Sequence, residues 1–313
     1  MHIDEAKFIT LGNAKQFVII RGENQKNPLL LLLHGGTTET AHFVKFNKAL
    51  EKYFTLVYWD QRGEGKSYSK ESIKAQPEFE QYIQDTHELT QTLKKRFHKK
   101  KIFLLGHSWG SMLGMKVIEK YPNDYVAYIG LSQYCDPLQS DAIMMAYFSQ
   151  QTQENSDKSR LKKIRSIPKL DETGTDLVQR TKALFPLAIK FGGLYHDSSY
   201  SNLMRLALLP ILTLKEYNII DKYRAMQQNE KRLKIYYQDN FFESLTEVKI
   251  PVYFIHGKDD YVINYALTKK YFEMLKAPKK QFYTFEKSAH FPSFEEPDRF
   301  HTIMIEEVLP TYQ

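Results

Sequence analysis

Gly106-His107-Ser108-Trp109-Gly110-Ser111 places a serine between two glycines. The apolar strand-like run Ile102 to Leu105 precedes it, and Met112, Met115, Val117 and Ile118 recur at helical spacing after it. A serine on so sharp a strand-to-helix turn is lifted out of the sheet, with helix N-terminal amides aimed at any negative charge a reaction creates. The glycines are needed because a side chain at either position would crowd the turn. A serine hydroxyl is a weak nucleophile unless a base takes its proton and an acid orients that base.

Ten histidines compete for the role of base. His290 has the right context, in the loop Glu286 to Pro292 after the strand Gln281 to Phe285 and before the last helix. His34, the main rival, ends a strand before Gly35-Gly36 and is read as shaping its loop, and His256, which also ends a strand, is read as structural. For the acid, Asp259 and Asp260 follow the strand Val252 to His256; Asp260 is preferred, because Ser108, Asp260, His290 is a known chain order for such a triad. Asp136 is a possible substitute. The backbone amides of Gly36, after the apolar run Leu29 to Leu33, and of Trp109 are expected to form the oxyanion hole. The side chains of His107 and Trp109 are read as packing.

These residues need a frame. Short apolar runs at 17–20, 29–33, 55–59, 102–105 and 126–131 alternate with helical segments, and the texture returns at 252–256 and 281–285, with helices at 265–275 and from about 297 to 308. This alternation predicts a mostly parallel sheet flanked by helices. From 135 to 246 the pattern is helical (142–150, 177–191, 200–209, 214–226), which predicts a cap inserted over the sheet's C-terminal edge. Residues 1–134 and 247–313 would then form the core.

Composition narrows the partners. The 313-residue chain carries a formal charge of +7, yet its basic stretches, Lys94 to Lys101 and Lys158 to Arg165, read as a helix C-terminus and a solvated helix face. No nucleic-acid partner is expected. The longest unbroken apolar run is far too short for a membrane span, and Asp4 and Glu5 sit where a leader would be basic, so a cytoplasmic location is expected. One cysteine, Cys135, excludes an intrachain disulfide. No metal-ligand motif occurs, and no metal or cofactor is expected.

The chain resembles the proline-iminopeptidase-like branch of the α/β-hydrolases in Leu31 to Gly36, Trp59-Asp60-Gln61-Arg62-Gly63-Glu64-Gly65-Lys66-Ser67, Gly106 to Ser111, His256 to Val262 and Ser288 to Phe291. The resemblance implies the α/β-hydrolase fold and places the triad acid on Asp260. It also implies release of an N-terminal residue, often proline, from a small-molecule or short-peptide substrate, with acidic cap residues holding the free amine. Asp60 and Arg62 would brace their loop. The sequence departs from the family's H-G-G-P-G at Thr37-Thr38 and shows no matching amine-binding motif in the cap. Glu216, Glu230, Asp239 and Glu243 are acidic candidates in that region.

An aminopeptidase-like serine hydrolase is therefore expected. A carboxylesterase using the same triad is the alternative. A binding protein without chemistry, or a lyase or acyltransferase on the same fold, ranks below both, and a dehalogenase would need a carboxylate at position 108.

Overall fold

Leu29 to Leu33 are five consecutive leucines, all essentially without solvent exposure, and such a run buries both faces of a strand. In the computed structural model, which describes residues 1–36, 39–69, 71, 78–155, 158–167, 177–221, 223 and 239–312, this run is β3 near the middle of an eight-stranded sheet. The other strands are β1 (Ile3–Leu11), β2 (Ala14–Gly22), β4 (Thr55–Trp59), β5 (Ile102–His107), β6 (Tyr125–Leu131), β7 (Val252–Gly257) and β8 (Lys280–Phe285). The spatial order is β1-β2-β4-β3-β5-β6-β7-β8. The β1–β2 and β2–β4 pairings are antiparallel and the rest are parallel, so the sheet is mostly parallel, as expected.

Side chains alternate across the sheet with period two. Leu29, Leu31 and Leu33 pack with α2 (Phe79–Phe97), α3 (Trp109–Lys120) and α7 (Tyr265–Met274), through residues such as Leu89, Leu113 and Tyr271. Leu30 and Leu32 pack on the other side with α1 (Glu39–Phe46) and α8 (Pro297–Ile303), through Phe43 and Phe300.

Between β6 and β7 the described residues form α4 (Pro137–Glu154), α5 (Lys158–Arg165), α6 (Leu177–Lys190) and short helical turns, without a strand among them. Phe148, Ile164, Leu184, Leu194 and Leu206 from this region join the cluster that contains Leu30 and Leu32. The described helices are therefore packed on the sheet's core.

Two expectations are modified. The helix expected over 200–209 is an α-helical turn (Tyr200–Leu203), a π-helical stretch (Met204–Leu208) and a second turn (Leu209–Thr213). Pro210 has no N–H to offer the ladder, which widens just before it; Met304–Val308 does the same ahead of Pro310. Of the helix expected over 214–226, only residues 219–221 and 223 are helical among those described, and 224–226 lie outside them.

The basic stretch at the end of α2 is ion-paired, Lys94 with Asp124 and Arg96 with Glu5. Among the described residues, no helix is long and apolar enough to cross a membrane.

Register aligns the strand ends. Leu33 lies beside Gly106, His107 beside Leu131, and Gly257 beside Phe285. The segments after β3, β5, β6, β7 and β8 consequently emerge together at one edge, where open parallel sheets bind ligands.

Candidate active site

Ser108 sits between β5 and α3 with φ 52° and ψ −117°, a left-handed conformation that a serine adopts only when its surroundings impose it. They do so here through the flanking glycines. A Cβ at Gly110 would stand 2.0 Å from the Leu33 carbonyl oxygen, and one at Gly106 would stand 2.3 Å from the Gly110 carbonyl oxygen. The Ser108 amide donates to the Leu131 carbonyl at 3.1 Å, which fastens the turn to β6.

His290 and Asp260 meet at the same edge. Asp260 Oδ2 lies 2.9 Å from His290 Nδ1, while Asp260 Oδ1 accepts the amides of Val262 and Ile263, each at 2.9 Å. Burial alone would raise this carboxyl, but His290 and His256 outweigh it and hold Asp260 well below the usual range. An ionised Asp260 fixes the His290 proton on Nδ1 and leaves Nε2 of the neutral ring as the basic nitrogen.

The other two carboxylates are engaged elsewhere. Asp259 Oδ2 is 2.6 Å from His196 Nδ1, and Asp136 caps α4 by accepting the Gln139 amide at 3.0 Å. His256 is buried against the acid: its Nε2 lies 3.2 Å from Asp260 Oδ2 as well as 2.8 Å from the Ile263 carbonyl oxygen. His34 shapes its loop, as read from the sequence: Nε2 accepts the Gln61 amide at 3.2 Å, so Nδ1–H is left to donate to the Gly36 carbonyl at 3.1 Å.

Trp109 packs its indole edge-on against Phe79 and Tyr82 and donates Nε1–H to Gln61. His107 does more than pack. Its Nε2 lies 2.8 Å from the His290 carbonyl oxygen and its Nδ1 lies 2.8 Å from Glu39 Oε2. Glu39 escaped the sequence reading altogether. It accepts the amides of Gly35 at 2.7 Å and Gly36 at 2.8 Å. The Gly36 amide is thus held by a carboxylate, where an amide open to a substrate oxygen was expected. The cause is the position of Glu39 at the start of α1, where a carboxylate is drawn toward backbone N–H groups and here also toward His107.

Glu295 was missed as well. It accepts the amides of His196 and Ala289 at 2.7 and 2.8 Å, and so ties the His290 loop to the helical region. The His290 amide makes a second tie, to the Leu194 carbonyl at 3.1 Å.

The acids considered for amine binding have other partners. Glu216 is paired with Arg21 of β2 at 2.7 Å, Asp239 with Lys116 at 2.9 Å, and the exposed Glu243 accepts from Asn240 at 3.2 Å. Each of these three thus has a partner of its own, and Glu230 lies outside the described residues. Asp60 and Arg62 brace their loop: Arg62 donates to both oxygens of Asp85, and Asp60 accepts the Lys66 amide at 2.8 Å and the Tyr217 hydroxyl at 2.9 Å.

The buried carboxyls predict a pH dependence of stability. Burial pushes Asp60 up to about 7, against its bonds to Lys66 and Tyr217, and pushes Glu295 up to about 7, against its bonds to Ala289 and His196. Both groups bind a proton more tightly folded than unfolded, so the stability they confer is present below about pH 4 and is lost as pH rises through 7. Glu39 behaves oppositely: burial would raise it, but His107 brings it to about 2, so its contribution is present above about pH 4.5 and is lost in acid. Calorimetry from pH 4 to pH 8.5 should find the highest Tm near pH 5 and a fall of a few degrees by pH 8. A Tm that climbs steadily to pH 8 would contradict these protonation states.

Comparison with known proteins gives consistent matches. A family model described as serine aminopeptidase, S33, matches residues 24–165. The probable aminopeptidase YbaC of Bacillus subtilis (strain 168) is 34% identical over 302 residues, covering 94% of this chain and 93% of that protein. The proline iminopeptidase of Heyndrickxia coagulans is 24% identical over 287 residues, covering 90% and 91%. Among solved structures, an esterase from Exiguobacterium antarcticum superposes with a TM-score of 0.64 at 15% identity, covering 97% of this chain and 99% of that one.

Proposed function

We propose, for a chain that belongs to the proline-iminopeptidase-like branch of the α/β-hydrolases and is a hydrolase, that Ser108, His290 and Asp260 act as a catalytic triad on an acyl bond, releasing the N-terminal residue of a small peptide. The observation that carries this reading is the junction of three strand ends. Ser108 is held in a strained turn, His107 beside it binds the backbone of His290, and His290 is bound to an ionised Asp260.

In this reading Ser108 Oγ attacks the carbonyl carbon as its proton passes to His290 Nε2, and Asp260 steadies the imidazolium that forms. The Gly36 and Trp109 amides take the developing oxyanion, Gly36 by exchanging Glu39 for the substrate oxygen. His290 then protonates the leaving amine, and water returns the enzyme by the reverse proton path. None of these steps calls for a cofactor. Residues 1–134 and 247–313 act as the core and 135–246 as a cap, whose Leu194 and His196 lie against the loops of the acid and base.

The second reading, hydrolysis of small esters, is supported by the aromatic pair Tyr195 and Phe291, stacked at 5.0 Å beside His290, and by the engagement of Glu216 and Glu243 elsewhere. A substrate panel separates the two. Prolyl, leucyl and alanyl p-nitroanilides should be hydrolysed with kcat/KM at least about tenfold above their N-acetylated counterparts, because a site that recognises a free amine penalises its loss. Turnover of p-nitrophenyl acetate and butyrate with no activity on any anilide would replace the peptidase reading with the esterase one.

A further inference from the structure

Glu39 and His107 lie 68 positions apart in the chain and are brought together because Leu33 is in register with Gly106. Both side chains are buried, with relative exposures of 9% and 1%. The His107 ring faces two oxygens, Glu39 Oε2 and the His290 carbonyl, each at 2.8 Å. With Glu39 ionised neither oxygen can donate, so both ring nitrogens must carry protons, and His107 is an imidazolium. Its counter-charge, Glu39, spends its remaining capacity on the amides of Gly35 and Gly36. One buried ion pair thus joins the loop after β3, the nucleophile turn and the loop after β8. Ser132 Oγ adds a second bond to the same His290 carbonyl, at 3.0 Å.

A carboxylate beside a developing oxyanion is unfavourable unless its charge is cancelled locally. His107 supplies that cancellation at 2.8 Å. A carboxylate so neutralised can hold the glycine loop in place without opposing the chemistry next to it.

We infer that Glu39 is a positioning residue for the hydrolysis, that it holds Gly35 and Gly36 against the nucleophile turn and yields the Gly36 amide to the substrate oxygen, and that His107 is the cation that makes this carboxylate tolerable there. The inference rests on the triad reading of Ser108, His290 and Asp260.

A double-mutant cycle tests it, using whichever anilide or ester the wild-type enzyme hydrolyses best. Glu39→Gln, which keeps the shape but removes the charge, should lower kcat about tenfold with KM within about threefold, because the loop is held less well. His107→Gln should lower kcat about a hundredfold, since it leaves the Glu39 charge uncancelled beside the oxyanion. The double variant should return to the level of Glu39→Gln alone. That rescue, with KM unmoved, is not what simple loss of packing would give.

Additive losses, with the double variant about a thousandfold down, would overturn the inference. So would a Glu39→Gln enzyme with kcat within about twofold of wild type. If His107→Gln fails to fold, Glu39→Gln and the double variant decide the matter: equal kcat supports the inference, and a further tenfold loss on adding His107→Gln overturns it. Fluorophosphonate labelling of the wild type, mapped to a residue, separates this from the underlying reading. Absence of label on Ser108 defeats the triad assignment, whereas label on Ser108 together with an additive cycle defeats the role given to Glu39.

Discussion

Replacing Ser108 with alanine is expected to lower kcat by about a millionfold while leaving the fold intact, the size of loss seen when a triad nucleophile is removed. Alanine needs no more room than serine, and the turn is held by backbone contacts that survive the change: the position-108 amide on Leu131 and the glycines packed against Leu33 and each other. The φ of 52° suits alanine no worse than serine. Turnover on the best substrate of the panel, read beside circular dichroism and Tm, measures this. A folded Ser108→Ala enzyme within about a hundredfold of wild type would remove Ser108 from the chemistry.

Asp260→Asn is expected to cost about ten-thousandfold in kcat. The asparagine can still accept the Val262 and Ile263 amides through Oδ1, which leaves its NH2 group facing His290 Nδ1, where the carboxylate oxygen stands 2.9 Å away. An amide that donates there forces the His290 proton onto Nε2, the nitrogen that must receive the serine proton. The same NH2 group also faces His256 Nε2, which lies 3.2 Å from the wild-type oxygen. Asp259→Asn, which loses an exposed pairing with His196, should stay within about threefold of wild type, and so should Asp136→Asn, because asparagine also caps a helix. Steady-state kinetics on the three variants gives the ranking. A larger loss at Asp259 or Asp136 than at Asp260 would move the acid.

The sheet was legible where strands are buried on both faces, because five or six consecutive apolar residues have no other good use. Six of its eight strands stand where apolar runs lie, and β8, which is only part-buried, was expected from its aromatic residues and its place before the last helix. The missing one, β1, has little pattern to read: it is an edge strand buried mainly at its ends, Ile3 and Leu11. Its one signal was the Gly12-Asn13 turn to β2, with φ of 49° and 64°, the backbone that a tight hairpin requires.

The candidate site divides the same way. Ser108, Asp260 and His290 could be picked out because each follows a recognisable strand and the turn glycines mark the first. Glu39 could not, since its meaning lies in a pairing with His107 that exists only once β3 and β5 are in register. Glu216 shows the same thing in reverse: an acid in the right part of the sequence has a partner, Arg21, that lies 195 positions away and that its neighbourhood does not reveal. Acids are read poorly from sequence when their partner, and not their neighbourhood, decides what they do.

The most direct test of the account is the site of covalent capture. The wild-type protein, treated with a fluorophosphonate at neutral pH, digested and mapped by mass spectrometry, should carry a single phosphonyl adduct on Ser108, and Asp260→Asn should acquire it far more slowly. An adduct on any other residue, or no adduct from a protein that turns over substrate, would contradict the assignment of Ser108 as the nucleophile.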